Sequence, residues 1–140
     1  MKITTKGRYA IHILYDLAVN GTEHPVSVKE MATRQEISVK YTEQIISILN
    51  KAGYVSSSRG FQGGYRLTKP LNEYVIGDIL RLTEGSLAPV DCLATAENPC
   101  PKQQKCATIM LWEKVDKAIR DVVDHVTLQD LLDWQKQERC

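Results

Sequence analysis

The chain has 140 residues, 43% hydrophobic and 25% charged, with a formal net charge of +1. Such a length and composition suit one compact domain with an appended arm and exclude a disordered chain. No run approaches the ~18 uninterrupted apolar residues of a membrane span, and the N-terminus lacks the apolar core of a secretory signal, so a cytoplasmic protein is expected.

The small net charge hides an asymmetry. Residues 1–70 hold ten Lys or Arg against five Asp or Glu (+5), and residues 71–140 hold eight against twelve (−4). A basic first half suits a polyanion partner. In a reducing compartment disulfides are uncommon, so Cys92, Cys100 and Cys106 point to metal or redox chemistry, whereas the terminal Cys140 is read as incidental.

In chain order, Thr4 or Thr5 caps a first helix whose stripe Tyr9, Ala10, Ile13, Leu14, Leu17 and Ala18 ends near Asn20-Gly21. Lys2, Lys6 and Arg8 near its start do not complement the helix dipole, so either a phosphate supplies the missing charge or these are surface residues. His12 and His24 receive no role. Ser27-Val28-Lys29-Glu30 has capping-box spacing and opens a short second helix to about Arg34. Gln35 to Val39 makes a tight connection, in which Glu36 occupies the position a glycine would suit, at a strain on the order of 1 kcal/mol.

A third helix runs from Val39 to Ala52, with Tyr41, Ile45, Ile48, Leu49 and Ala52 at core spacing. Lys40, Glu43, Gln44, Ser47 and Lys51 fall on the opposite side. That set mixes donors, acceptors and positive charge, which suits base edges and phosphates, although a solvated face has the same look. Helix, turn and helix together make the DNA-reading interpretation the stronger one. Two short strands follow, Val55 to Ser58 and Tyr65 to Thr68, joined by Arg59-Gly60-Phe61-Gln62-Gly63-Gly64. This is a β-wing, with Arg59 placed for a narrow minor groove; an ordinary hairpin is the alternative.

After Pro70, Val75, Ile76, Ile79, Leu80 and Leu82 suggest a helix ended by Gly85, and Ala88 to Lys105, with Pro89, Pro99 and Pro101, reads as a loop. From about Lys105 to Val126 the residues Trp112, Val115, Ile119, Val122 and Val126 alternate three and four apart. Such a seam buries most readily against a twin, so a homodimer through the 106–126 helix is expected, with packing back onto its own domain as the alternative. Thr127 caps a last helix. Cys92, Cys100 and Cys106 are separated by seven and five residues. Thiolates of this kind suit zinc or an iron–sulfur cluster, both of which normally take a fourth ligand; free thiols remain the alternative.

Taken together, the opening Met-Lys-Ile-Thr-Thr-Lys-Gly-Arg-Tyr-Ala, Ile37-Ser38 with Tyr41-Thr42-Glu43-Gln44, Ser58-Arg59-Gly60 with Gly63-Gly64-Tyr65, and Val90-Asp91-Cys92-Leu93 resemble the Rrf2 family of bacterial winged-helix regulators over nearly the whole chain. The resemblance implies a dimer on a pseudo-palindromic operator, with Ser38, Lys40, Tyr41, Glu43 and Gln44 near bases and phosphates and Arg59 in the minor groove. The cysteines resemble those of the iron–sulfur branch (IscR, with the nitric-oxide sensor NsrR), which implies a cluster, 2Fe-2S in type, on the loop before the dimer helix. Two features depart from that branch. The first gap is longer than its usual one, and the histidine expected one turn after the third cysteine is here Ile109. Glu113 is a weak substitute as fourth ligand. The aspartate that the nitric-oxide branch uses near its N-terminus is not matched either, since Arg8 stands at about that position. A related branch (CymR) implies a cluster-free regulator of cysteine metabolism acting through a partner enzyme.

The expectation is therefore a mainly α protein with a small β-wing and no enzymatic activity. Residues 1–85 form a winged helix-turn-helix domain, 86–105 a cysteine-containing sensor loop, and 106–140 a dimerisation helix and a C-terminal helix. The DNA-binding set is Ser38, Lys40, Tyr41, Glu43, Gln44, Ser47, Arg59, Gly60, Gly63, Gly64 and Tyr65, and the metal set Cys92, Cys100 and Cys106. The protein is read as an operator-binding repressor controlled by cluster state. The cluster-free regulator stands as one alternative and a metal or redox protein that binds no DNA as the second.

Overall fold

A computed structural model of the chain describes residues 3–60 and 63–138. Lys2, Phe61, Gln62 and Cys140, singled out above, lie outside the described residues.

Among the described residues six α-helices and one hairpin follow in the order α1 (Thr5–Asn20), α2 (Val28–Gln35), α3 (Val39–Lys51), β1 (Val55–Ser58), β2 (Gly64–Leu67), α4 (Ile76–Glu84), α5 (Ile109–Val123) and α6 (Leu128–Glu138). The caps are those the residue types dictate. Thr4 Oγ1 accepts from Gly7 N at 3.5 Å, Ser27 Oγ from Glu30 N at 3.1 Å and Ser38 Oγ from Tyr41 N at 3.0 Å, each satisfying an amide that the helix itself leaves open. Glu36 closes α2 in the left-handed region (φ 56°, ψ 41°), as the glycine-like position requires.

The core is built from α1, α2, α3 and α4 with Tyr74 and Leu128, and Ala10, Ile13, Leu14 and Leu17 of α1 are buried as their stripe predicts. In α3 the stripe is rotated from the expected one. Ala52 is exposed and Ile48 half-buried, while Thr42 and Ile46 take the core positions. Thr42 can be buried because its hydroxyl donates to Ser38 O at 2.9 Å.

The wing pairs Val55 with Leu67 and Ser58 with Gly64, antiparallel. Its second strand starts at Gly64, one residue before the expected position. Two backbone hydrogen bonds of 3.0 and 2.8 Å then join Tyr65 to Val26, so the segment before α2 adds a third, minimal strand and seats the wing on the body.

The longest expected helix is the one that differs most. It starts at Ile109, four residues after Lys105, because 103–105 form a separate 3-10 turn and no side chain caps α5. A second stitch, between Val75 and Thr127, returns the chain to the body. There Thr127 and Asp130 form a reciprocal capping pair (3.2 and 2.9 Å), and Leu128 enters the core fully buried.

Candidate nucleic-acid interface and cysteine loop

Helix α3 buries one side and presents the other. Lys40, Glu43, Gln44, Ser47 and Lys51 are exposed, and their spacing places them along one outer stripe. Ser38 is exposed, but its hydroxyl is already engaged as the cap. Tyr41 is half-buried and meets Tyr9 of α1 edge to face, ring centroids 6.1 Å apart. Of the residues expected here, Lys40, Glu43, Gln44 and Ser47 are thus free to face a ligand, while Ser38 and Tyr41 also hold the helix start in place. Sequence reasoning missed Val39, 45% exposed at the first position of α3. An apolar side chain at the tip of a reading helix can meet a thymine methyl; its signal was its place immediately after a capping serine.

Arg59 and Gly60 are exposed just beyond β1, Gly60 at φ +113°. Gly63 and Gly64 have inward roles. A Cβ on Gly63 would press on Ser58 O, and one on Gly64 would overlap Val26 O, so both glycines allow backbone to approach backbone. Tyr65 packs partly against the core. Arg66 was overlooked. It is exposed on β2 opposite Ser56, and its guanidinium donates to Glu23 O at 3.0 Å, which ties the wing to the segment before α2.

Two polar clusters tie together the elements that flank α3. The Asp16 carboxylate, 3% exposed, accepts from Arg34 Nε (2.9 and 3.1 Å), Arg34 Nη2 (2.8 Å), Gln35 Nε2 (3.2 Å) and Asn20 Nδ2 (3.2 Å). It ties α1 to α2, and the hydrogen bond from Arg34 raises the guanidinium pKa further above its usual value. At the wing, the buried Tyr74 hydroxyl donates to Tyr54 O at 2.6 Å and accepts from Thr68 N at 2.9 Å and Lys69 N at 3.3 Å. Burial beside it pushes the Tyr54 phenol above its usual pKa.

The start of α1 carries a carboxylate. Glu84 Oε1 accepts from Thr4 Oγ1 at 2.6 Å and Thr4 N at 3.2 Å, so the negative charge expected near Lys6 and Arg8 is supplied by the end of α4.

The loop after α4 carries Cys92 in a 3-10 turn (Asp91–Leu93), Cys100 in coil with its amide on Asn98 Oδ1 (2.9 Å), and Cys106 just before α5. All three are free and partly exposed. Thr108 is turned to Cys106 (Oγ1 to Sγ 3.5 Å), and this hydrogen bond lowers the Cys106 thiol pKa below its usual value. The donors suit a cluster in kind, but they do not converge: among the described residues no three His, Cys, Asp or Glu side chains are grouped to hold a metal ion. Glu113 brings no fourth ligand to them as placed.

Helix α5 has no buried residue. Ile119 and Val123 rest on the core, and Met110, Leu111 and Val122 stand 67%, 53% and 61% exposed. Between α4 and α5 lies an apolar groove of about 430 Å³ lined by Ile3, Leu80, Leu87, Val115, Ile119 and Val122. Arg81 clamps Asp124 at the end of α5 (2.6 and 3.0 Å), which holds that carboxyl below its usual pKa. No helix among the described residues is long and apolar enough to cross a membrane.

Comparison with known proteins bears on this geometry. The family model described as Rrf2, an iron-dependent transcriptional regulator, matches residues 3–134. Protein rrf2 of Nitratidesulfovibrio vulgaris is 43% identical over 133 residues, 94% of this chain and 87% of its own. Among solved structures, CymR, the global cysteine regulator of B. subtilis, superposes with a TM-score of 0.78 at 37% identity, covering 96% of this chain and 98% of CymR. IscR of T. potens superposes with a TM-score of 0.79 at 39% identity, covering 100% and 92%. These relatives are regulators of transcription and not enzymes, and two that differ in name fit almost equally well. The helix-turn-helix, the wing and the match along nearly the whole length agree: the chain belongs to the Rrf2 family of winged-helix, DNA-binding transcription regulators.

Proposed function

We propose that the chain works as a homodimeric repressor whose α3 helices enter successive major grooves of an operator while the wings reach the flanking minor grooves. The observation that carries this is the exposed stripe of Lys40, Glu43, Gln44 and Ser47 beside a wing that ends in Arg59. Gln44 can pair with an adenine edge, Lys40 with a phosphate, and Arg59 with the negative potential of a narrow minor groove. Tyr41, Ser38 and the glycines Gly60, Gly63 and Gly64 with Tyr65 shape the surface that those side chains need. The second copy packs on α5, where Met110, Leu111 and Val122 lack cover within the chain. Reading heads on a palindrome must stand about 34 Å apart, and a paired α5 fixes that spacing.

In this reading the loop is the sensor, with Cys92, Cys100 and Cys106 the residues that would hold an iron–sulfur cluster. Bound there, a cluster supplies inorganic charge and covalent cross-links to an otherwise irregular segment. The chain's own contribution is to hold the cysteines between two helix ends, so that drawing them together orders the approach to α5. A second reading, a cluster-free regulator of cysteine metabolism acting through a partner protein, is favoured by the separation of the thiols and by the likeness to CymR. The test is anaerobic purification with a visible spectrum and iron, sulfide and zinc analysis, followed by operator binding in fluorescence anisotropy. Absorbance with stoichiometric iron and sulfide supports the cluster. A colourless, metal-free protein that resists reconstitution sinks it and leaves the second reading, and salt-insensitive binding unmoved by Gln44→Ala and Arg59→Ala sinks the reading head.

A further inference from the structure

We propose that Glu84 is a positioning residue for DNA reading: its carboxylate fixes the start of α1, and α1 in turn sets the first turn of α3. This rests on the assignment of α3 as the reading helix and names the internal contact that places it.

Helix α1 has sixteen residues and no acidic residue in its own first turn, so the positive end of its dipole has no local compensation. Glu84, the last residue of α4, fills the gap from another part of the chain, eighty positions away, with hydrogen bonds of 2.6 Å from Thr4 Oγ1 and 3.2 Å from Thr4 N. Thr4 Oγ1 also accepts from Gly7 N, so one hydroxyl joins the helix cap to the carboxylate. Gly7 is the neighbour this arrangement requires, since a Cβ there would strike Glu84 Oε1 and crowd Thr83. The fit leaves little slack.

Both ends of this contact lead somewhere. On one side, Gly85 follows at φ +82° and begins the cysteine loop, while Arg81, one turn back, is clamped to Asp124 of α5. A displacement of the loop or of α5 therefore acts on α4, and through the end of that helix on Glu84. On the other side, Tyr9 lies one turn beyond the cap and meets Tyr41 edge to face. The amide of Tyr41 is the one that closes the Ser38 cap of α3 at 3.0 Å. Lys40 and Glu43 sit on that same turn, so their position depends on where α1 begins. Release of the bonded Glu84–Thr4 contact is the second state that a coupling of this kind requires, and the experiment below tests for its effect.

The experiment is a double-mutant cycle on the full chain with Glu84→Ala and Thr4→Val, with Glu84→Gln as the conservative variant. The readouts are anisotropy with operator and with random duplex, and hydrogen exchange of the amides at 40–43. Each single change is expected to weaken operator binding about tenfold with random-duplex binding held within about twofold, and the double variant to lose no more than either single. Glu84→Gln, which keeps an acceptor, is expected to retain most of the affinity. Exchange at 40–43 is expected to quicken in Glu84→Ala and Thr4→Val. Equal losses on both duplexes, additive losses, or unchanged exchange at 40–43 overturn the proposal and reduce Glu84 to a helix cap. If the unaltered protein binds no DNA, the reading-head assignment falls by itself, and the exchange at 40–43 still decides whether Glu84 positions α3.

Discussion

Helices α3 and α5 are nearly the same length, thirteen and fifteen residues, and both are amphipathic, yet α3 buries Thr42, Ile45, Ile46 and Leu49 while α5 buries nothing fully. The apolar stripe of α3 is matched by a core that the chain itself supplies, and its polar stripe stands exposed. In α5 the reverse holds: polar groups bind one another, as in Lys117–Asp121 and Arg120–Asp116, and part of the apolar stripe is left over. Amphipathicity thus states how much surface must be covered, and only the surrounding fold states by what.

Substitutions that cross these roles test the contrast. The largest effect belongs inside α3, where Leu49→Ala opens a cavity and is expected to cost about 3 kcal/mol in urea unfolding. On α5, Val122→Glu is expected to halve the molar mass in sedimentation while the circular dichroism of the fold survives. Operator affinity then falls about a hundredfold, because two reading heads no longer bind as one unit; an unchanged mass places the uncovered stripe against something other than a twin. On the outer face of α3, Gln44→Ala is expected to lose about tenfold for the operator and to relax base preference at one position, whereas Lys40→Ala weakens every duplex alike and lowers the salt slope by about one.

Smaller effects concern the ties that hold the two regions in register. Tyr74→Phe removes the hydroxyl that gathers Tyr54, Thr68 and Lys69, at about 1–2 kcal/mol in thermal unfolding. Asp124→Asn is expected to cost less than about 1 kcal/mol at neutral pH, because the Arg81 clamp is one-third exposed. The native carboxyl lies below its unfolded value of about 3.9, so this contribution is complete above that value and disappears as pH falls through the native one. A Tm difference between variant and parent that does not shrink as pH falls below the unfolded value contradicts the assignment.

Much of the fold could be read from the residues because its signals are local. Ser27 and Ser38 mark helix starts through their own hydroxyls, Gly85 marks an end through its positive φ, and the glycines around 60–64 announce a hairpin. What stayed hidden depends on residues far apart. Nothing near Thr4 reveals that Glu84 caps it, nothing near Tyr65 reveals the pairing with Val26, and Gly64 reads as a wing glycine until the Val26 carbonyl beside it is seen. The rotation of the α3 stripe has the same origin, since Thr42 looks polar until its bond to Ser38 O is known. For the candidate site, the exposed stripe was visible as a pattern, whereas the separation of Cys92, Cys100 and Cys106 was not: spacing along an irregular loop sets no distance in space.

The full burial of Leu128 bears on how the protein is made. That side chain belongs to the same core as Leu17 and Ile79, and its amide donates to Tyr74 O at 2.9 Å. A ribosome that has released only the helix-turn-helix and wing has therefore produced a domain with a hole in it. Completion waits for the last helix to emerge, so a chain ended after α4 is expected to carry an open apolar cavity, the kind of surface that chaperones and proteases recognise.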